Sequence, residues 1–112
     1  MAEAAAELLK TEVALVPSLW WYEVRNILVV SERRQRMTSD DSRLFLELLS
    51  SYPIQVDPIE DEETTFRLAR DYRLSFYDAA YLSVAKRTRV PIATLDRAVQ
   101  DAARAEGIPL LA

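Results

Sequence analysis

Short apolar runs closed by proline alternate with longer stretches of helical spacing, and this alternation limits the possible folds more than any other feature of the chain. Residues 2–10 are Ala, Glu and Leu up to Lys10 with no breaker, which predicts a helix. They run into an apolar stretch over 13–16 closed by Pro17, which predicts a strand. Ser18 is placed to cap a helix over 19–36, where Trp20, Val24, Ile27 and Leu28 recur at helical spacing. Apolar residues fall on several faces of that helix, so it is expected to be buried between a sheet and another helix or another subunit.

Thr38 followed by Asp41 resembles a capping box, after which Leu44, Phe45, Leu48 and Leu49 form an amphipathic stripe ending near Tyr52 and Pro53. Residues 54–56 are short and β-branched between Pro53 and Pro58, as suits an edge strand. Helical spacing resumes over 61–72, Ser75 caps a helix over 76–87, residues 90–94 read as a strand, and a last helix covers 97–106. Gly107 stands where a helix ends, and residues 108–111 read as a final strand. The pattern predicts one α/β domain over 1–112 with a mostly parallel sheet.

The residue inventory removes most catalytic chemistry. With no Cys and no His there is no thiolate or imidazole metal site and no Ser-His-Asp triad. A single glycine, Gly107, allows neither a P-loop nor a dinucleotide-binding glycine motif. What remains is oxygen: 18 Asp and Glu, the ligand type of hard cations such as Mg²⁺. The net charge of −4 argues against a surface that attracts nucleic acid everywhere, but Arg33, Arg34 and Arg36 form a local basic group suited to phosphate or a partner. Those arginines equally complement the dipole of the helix end they follow. No stretch is long and apolar enough to span a membrane, and the first ten residues lack a basic signal-peptide start, so a cytoplasmic protein is expected.

Three acids stand apart from the acids of solvated faces. Glu23 shares its helix face with Leu19, Ile27 and Val30, and is expected to be partly buried. A buried carboxylate needs a pair, hydrogen bonds or a metal, the plain alternative being a salt bridge to arginine. Asn26, one turn on, is placed to orient it or to make an ordinary amide hydrogen bond. Asp78 follows Ser75 at capping-box spacing, yet its helical neighbours Tyr81, Leu82 and Ala85 are apolar, which puts its carboxylate on the inner side of the turn. Asp96 stands just past the strand over 90–94, with Thr94 two residues before it, either as a helix cap or at the strand end where α/β sheets bind ligands. Three carboxylates about 5 Å apart would repel by roughly 3 kcal/mol per pair at an effective dielectric near 20, which a divalent ion relieves.

The chain resembles the PIN-domain ribonucleases, and most closely the VapC-type toxins of toxin–antitoxin pairs. The resemblance is carried by VPSLWWYEVRNIL (16–28) with Glu23 and Asn26, by LSFYDAAYLSVAKR (74–87) with Asp78, and by PIATLDRAVQDAARAEGIPLL (91–111) with Thr94 and Asp96. It implies a three-layer α/β/α sandwich. It also implies a hydrophobic strand bearing a first Asp ahead of MAEAAAELLK, which this chain does not carry, so that central strand is expected to be truncated, donated by another chain or lost.

The resemblance further implies Mg²⁺- or Mn²⁺-dependent cleavage of RNA. In that reading Asp78 and Asp96 are metal ligands, Glu23 is a ligand or a water-mediated contact, Thr94 orients a ligand, and Asn26 supports the acids from behind. It implies a homodimer and a small VapB-like antitoxin whose tail enters the acidic site. One of Trp20, Trp21 and Tyr22 is expected at such an interface or packed on the second side of its helix, since three aromatics in a row cannot share one core. The alternative is a noncatalytic PIN-like module that dimerises or binds antitoxin or RNA.

Overall fold

The structure, a computed structural model, describes residues 14–111. The elements run β1 (Ala14–Pro17), α1 (Leu19–Arg33), α2 (Ser39–Leu49), β2 (Ile54–Asp57), α3 (Glu62–Tyr72), α4 (Phe76–Thr88) and α5 (Arg97–Ala105). The helix expected over 2–10 lies outside the described residues, as does anything ahead of it.

β1 and β2 pair in parallel, Ala14 against Ile54 through Pro17 against Asp57. β2 has no second partner among the described residues, the edge position its flanking prolines predict. The strands expected over 90–94 and 108–111 shrink to one parallel bridge between Ile92 and Leu110. Its bonds are Ile92 N–H to the Pro109 carbonyl at 2.9 Å and Leu111 N–H to the Ile92 carbonyl at 3.0 Å. Pro91 and Pro109 have no N–H to extend that ladder.

Helix ends follow local chemistry. The Thr38/Asp41 capping box forms in both directions. Asp61, Ser75 and Asp96 each accept a backbone N–H three residues on and start α3, α4 and α5. Ser18 does not cap α1: its backbone is already helical (φ −57°, ψ −31°), which leaves its side chain without a capping bond. α1 ends three residues earlier than its spacing predicts. Gln35 adopts φ 58°, Gln35 N–H returns to the Glu32 carbonyl and Arg36 N–H to the Ser31 carbonyl, a Schellman closure made without glycine. Arg73 and Arg89, also left-handed, close α3 and α4 in related fashion, and Gly107 at φ 73° follows α5. Helix stops at non-glycine residues leave no mark in the sequence.

The core is built by the second half of the chain. Leu68 on α3, Ala79, Leu82 and Ala85 on α4, and Val99, Ala102 and Ala103 on α5 pack together with Ile92 and Ile108. Around it Glu106 accepts from the Arg67 guanidinium (2.8 Å), the Lys86 ammonium (3.1 Å) and the Tyr72 hydroxyl, joining α3, α4 and the end of α5. These donors, the Arg67 guanidinium foremost, lower the Glu106 carboxyl to a pKa of about 2. A depressed folded-state pKa makes this contribution complete above the unfolded carboxyl pKa of about 4.3 and progressively lost as pH falls toward about 2. Because Arg67 and Lys86 are well exposed, screening limits the effect. Glu106→Gln is expected to cost about 1–2 kcal/mol at pH 7 and much less at pH 2.5, read from urea midpoints at the two pH values.

α1 departs from expectation. Leu28 is its buried residue, whereas Trp21, Tyr22, Ile27 and Val29 are exposed, Tyr22 at 70%. Trp20 is half-buried, and the Trp21 ring is covered on one side by the Arg25 guanidinium, 4.2 Å from the ring centroid. The amphipathic stripe of α2 is likewise uncovered at Leu44, Phe45 and Leu48. Ser42 Oγ donates to Glu32 Oε2 at 2.7 Å and ties the two helices together. Sequence spacing identifies an apolar face; among the described residues of one chain, nothing is laid against these faces.

Candidate nuclease site

Glu23 lies on the exposed side of α1, roughly opposite Leu28, so the predicted partial burial is not found. Its carboxylate is nonetheless engaged: the Tyr81 hydroxyl of α4, 58 residues away in sequence, donates to Glu23 Oε1. Tyr81 is half-buried and packs against the core. Burial first, then the bond to Glu23 and the charges of Glu23 and Asp78, push the phenol well above the ordinary tyrosine pKa. It therefore stays a donor at any working pH.

Asp78 sits one turn before Tyr81 on the same helix face, near enough for its charge to act on the phenol. Its backbone N–H donates to Ser75 Oγ at 3.0 Å, but among the described residues its carboxylate makes no return bond. The acid half of the expected capping box is absent, and the half-buried carboxylate is left available on the side where Tyr81 holds Glu23. The phenol thus binds one carboxylate, Glu23, and stands one helical turn from a second, Asp78.

Asp96 is differently occupied. Its Oδ1 accepts from Val99 N–H at 3.1 Å as the cap of α5, while its own N–H donates to Thr94 Oγ1 at 3.1 Å. Thr94 is further held by Gln100, whose Nε2 donates to the Thr94 carbonyl at 2.9 Å. Among the described residues no group of three acids stands close enough to hold one metal ion. Glu23 and Asp78 are of the ligand type that Mg²⁺ takes, one or two carboxylates with the rest of its octahedron filled by water and phosphate oxygens. Asn26 is exposed and makes no side-chain hydrogen bond among the described residues. Arg33, Arg34 and Arg36 are exposed at the end of α1 and form no ion pair among the described residues.

The residue that sequence reading missed is Tyr81, counted there only as an apolar neighbour of Asp78. Its spacing of three from Asp78 was visible; its partner on α1 was not. A cleft of about 500 Å³ opens at the carboxyl ends of β1 and β2, lined among others by Ser18, Ile59, Asp61, Phe76 and Tyr77; Glu23, Asp78 and Tyr81 are not among its lining residues. This end of a parallel sheet is where α/β folds place their ligands.

The PIN-domain family model matches residues 1–105 of the sequence. The chain belongs to the PIN-domain family. The crystal structure of PAE2754 from Pyrobaculum aerophilum is similar to this PIN domain at 30% sequence identity with a TM-score of 0.70, over 88% of this chain and 70% of that one. No curated protein matches the sequence. The α/β fold with a parallel sheet is that of the family, and PIN domains are generally nucleases that typically use divalent metals.

Proposed function

We propose that this PIN domain is a divalent-metal-dependent endoribonuclease of the VapC type, with Glu23 and Asp78 as its central acids. The observation that carries the reading is the bond from the Tyr81 hydroxyl to Glu23, which ties that acid to the helix turn bearing Asp78. Glu23 and Asp78 would hold the ion, and a bound ion supplies Lewis-acid stabilisation of charge on a phosphate under attack. The chain's own part is to hold Glu23 through Tyr81 and to leave room for phosphate and water at the two acids. Asp96, whose Oδ1 caps α5, is proposed to stand at the margin of this site with its other oxygen uncommitted to the cap. Arg33, Arg34 and Arg36 are proposed contacts to RNA phosphates or to a partner.

The exposed apolar side chains Tyr22, Ile27, Leu44 and Leu48 support a protein that works in company, as a homodimer and with a VapB-like antitoxin in the cytoplasm. One observation favours the alternative of a noncatalytic binding module: the third acid serves as a helix cap and does not complete a metal cluster among the described residues. Incubating the protein with fluorescently labelled single-stranded RNA separates the two readings. The nuclease is expected to give endonucleolytic products with Mg²⁺ or Mn²⁺ and none in EDTA. Intact RNA under all conditions, with binding retained, would establish the module.

A further inference from the structure

We infer that Tyr81 is a positioning residue whose hydroxyl holds the Glu23 carboxylate beside Asp78. The inference rests on the proposed role of those two acids. An exposed glutamate on a solvated helix face has three rotatable side-chain bonds and no reason to keep one orientation. Tyr81 has two, and its ring is fixed by the core formed around Leu82 and Ala85, so the hydroxyl is a rigid donor at the end of a packed post.

A hydrogen bond from a neutral hydroxyl to a carboxylate is charge-assisted and stronger than a neutral pair. Among the described residues it is also the side-chain hydrogen bond that joins α1 to α4. The bond takes one oxygen of Glu23 and leaves Oε2 uncommitted among the described residues. Spacing of three along α4 puts Asp78 on the same face as Tyr81, so fixing Glu23 on the phenol fixes it relative to Asp78 as well. A cation then meets a Glu23 carboxylate already held on the face that carries Asp78 instead of a wandering group. Acids held this way need no third carboxylate to define their geometry.

Tyr81→Phe removes the hydroxyl and keeps the ring. Expected results are a roughly 10-fold lower kcat on single-stranded RNA with KM changed less than about twofold, and Mn²⁺ affinity of the RNA-free protein weakened by about 3- to 10-fold. In a Glu23→Gln background the same substitution is expected to change neither quantity, because its effect passes through Glu23. NMR relaxation of the Glu23 Cγ methylene reads the positioning without RNA or metal, and Y81F should make that group markedly more mobile. Unchanged Glu23 motion, or an equal loss from Y81F with and without Glu23, overturns the inference. Full activity of Glu23→Gln and Asp78→Asn overturns the proposed function instead, and the methylene measurement still decides whether Tyr81 positions Glu23.

Discussion

Asp78→Asn and Glu23→Gln are each expected to slow single-turnover RNA cleavage by about 10²-fold or more, equivalent to about 2.7 kcal/mol of transition-state stabilisation. Asp96→Asn is expected to slow it by less than about tenfold. The contrast follows from what each carboxylate touches. Asp78 stands in the first turn of α4, where Ser75 takes its N–H while its carboxylate makes no bond among the described residues. Glu23 is held by a residue of another helix rather than by its own. Both substitutions keep size and packing while removing the charge that a cation would use. At Asp96 the carboxylate caps α5, and asparagine caps a helix about as well as aspartate, so Asp96→Asn tests charge apart from fold. A loss at Asp96 as deep as that at Asp78 would place Asp96 inside the reacting site and refute a two-acid centre.

Asp57→Ala is expected to destabilise the protein by about 3 kcal/mol at pH 7, measured by urea denaturation. Asp57 closes β2 with its side chain 6% exposed, accepts Ile59 N–H at 2.9 Å, and meets Arg87 Nη2 of α4 at 2.6 Å. Removing the carboxylate strands a largely covered guanidinium whose Nε already has no partner among the described residues. The loss is that of an uncompensated cation more than of the ion pair itself. The Asp57→Ala, Arg87→Met double variant should therefore recover part of it, and a double variant no better than Asp57→Ala would show that the loss has another origin. The Ile59 N–H first, and Arg87 beside it, hold the Asp57 carboxyl below its usual pKa. This contribution is accordingly complete above the ordinary Asp pKa near 4 and fades as pH falls below it.

Much of the architecture could be read from local signals. The Thr38/Asp41 box, the caps at Ser75 and Asp96, the stop at Gly107 and the proline-bounded strand over 54–56 all stand where spacing puts them, because caps, turns and strands are decided within a few residues. Local signals failed where a helix closed on a left-handed Gln35 in place of glycine, and where Pro91 and Pro109 cut two expected strands to one bridge.

Site residues divide along the same line. The sequence by itself determined which side chains can do chemistry, leaving acids and hydroxyls in a chain without Cys or His, and it singled out Glu23, Asp78 and Asp96 from 18 acids. Only the tertiary structure decided their surroundings. A helical wheel says which residues share a face of one helix, not whether another element covers that face, so Glu23 came out exposed amid apolar neighbours and Tyr22 and Leu44 came out uncovered. The hydroxyl that anchors Glu23 belongs to a helix 58 residues further along, and such a meeting depends on how α1 and α4 are docked, which no local pattern encodes.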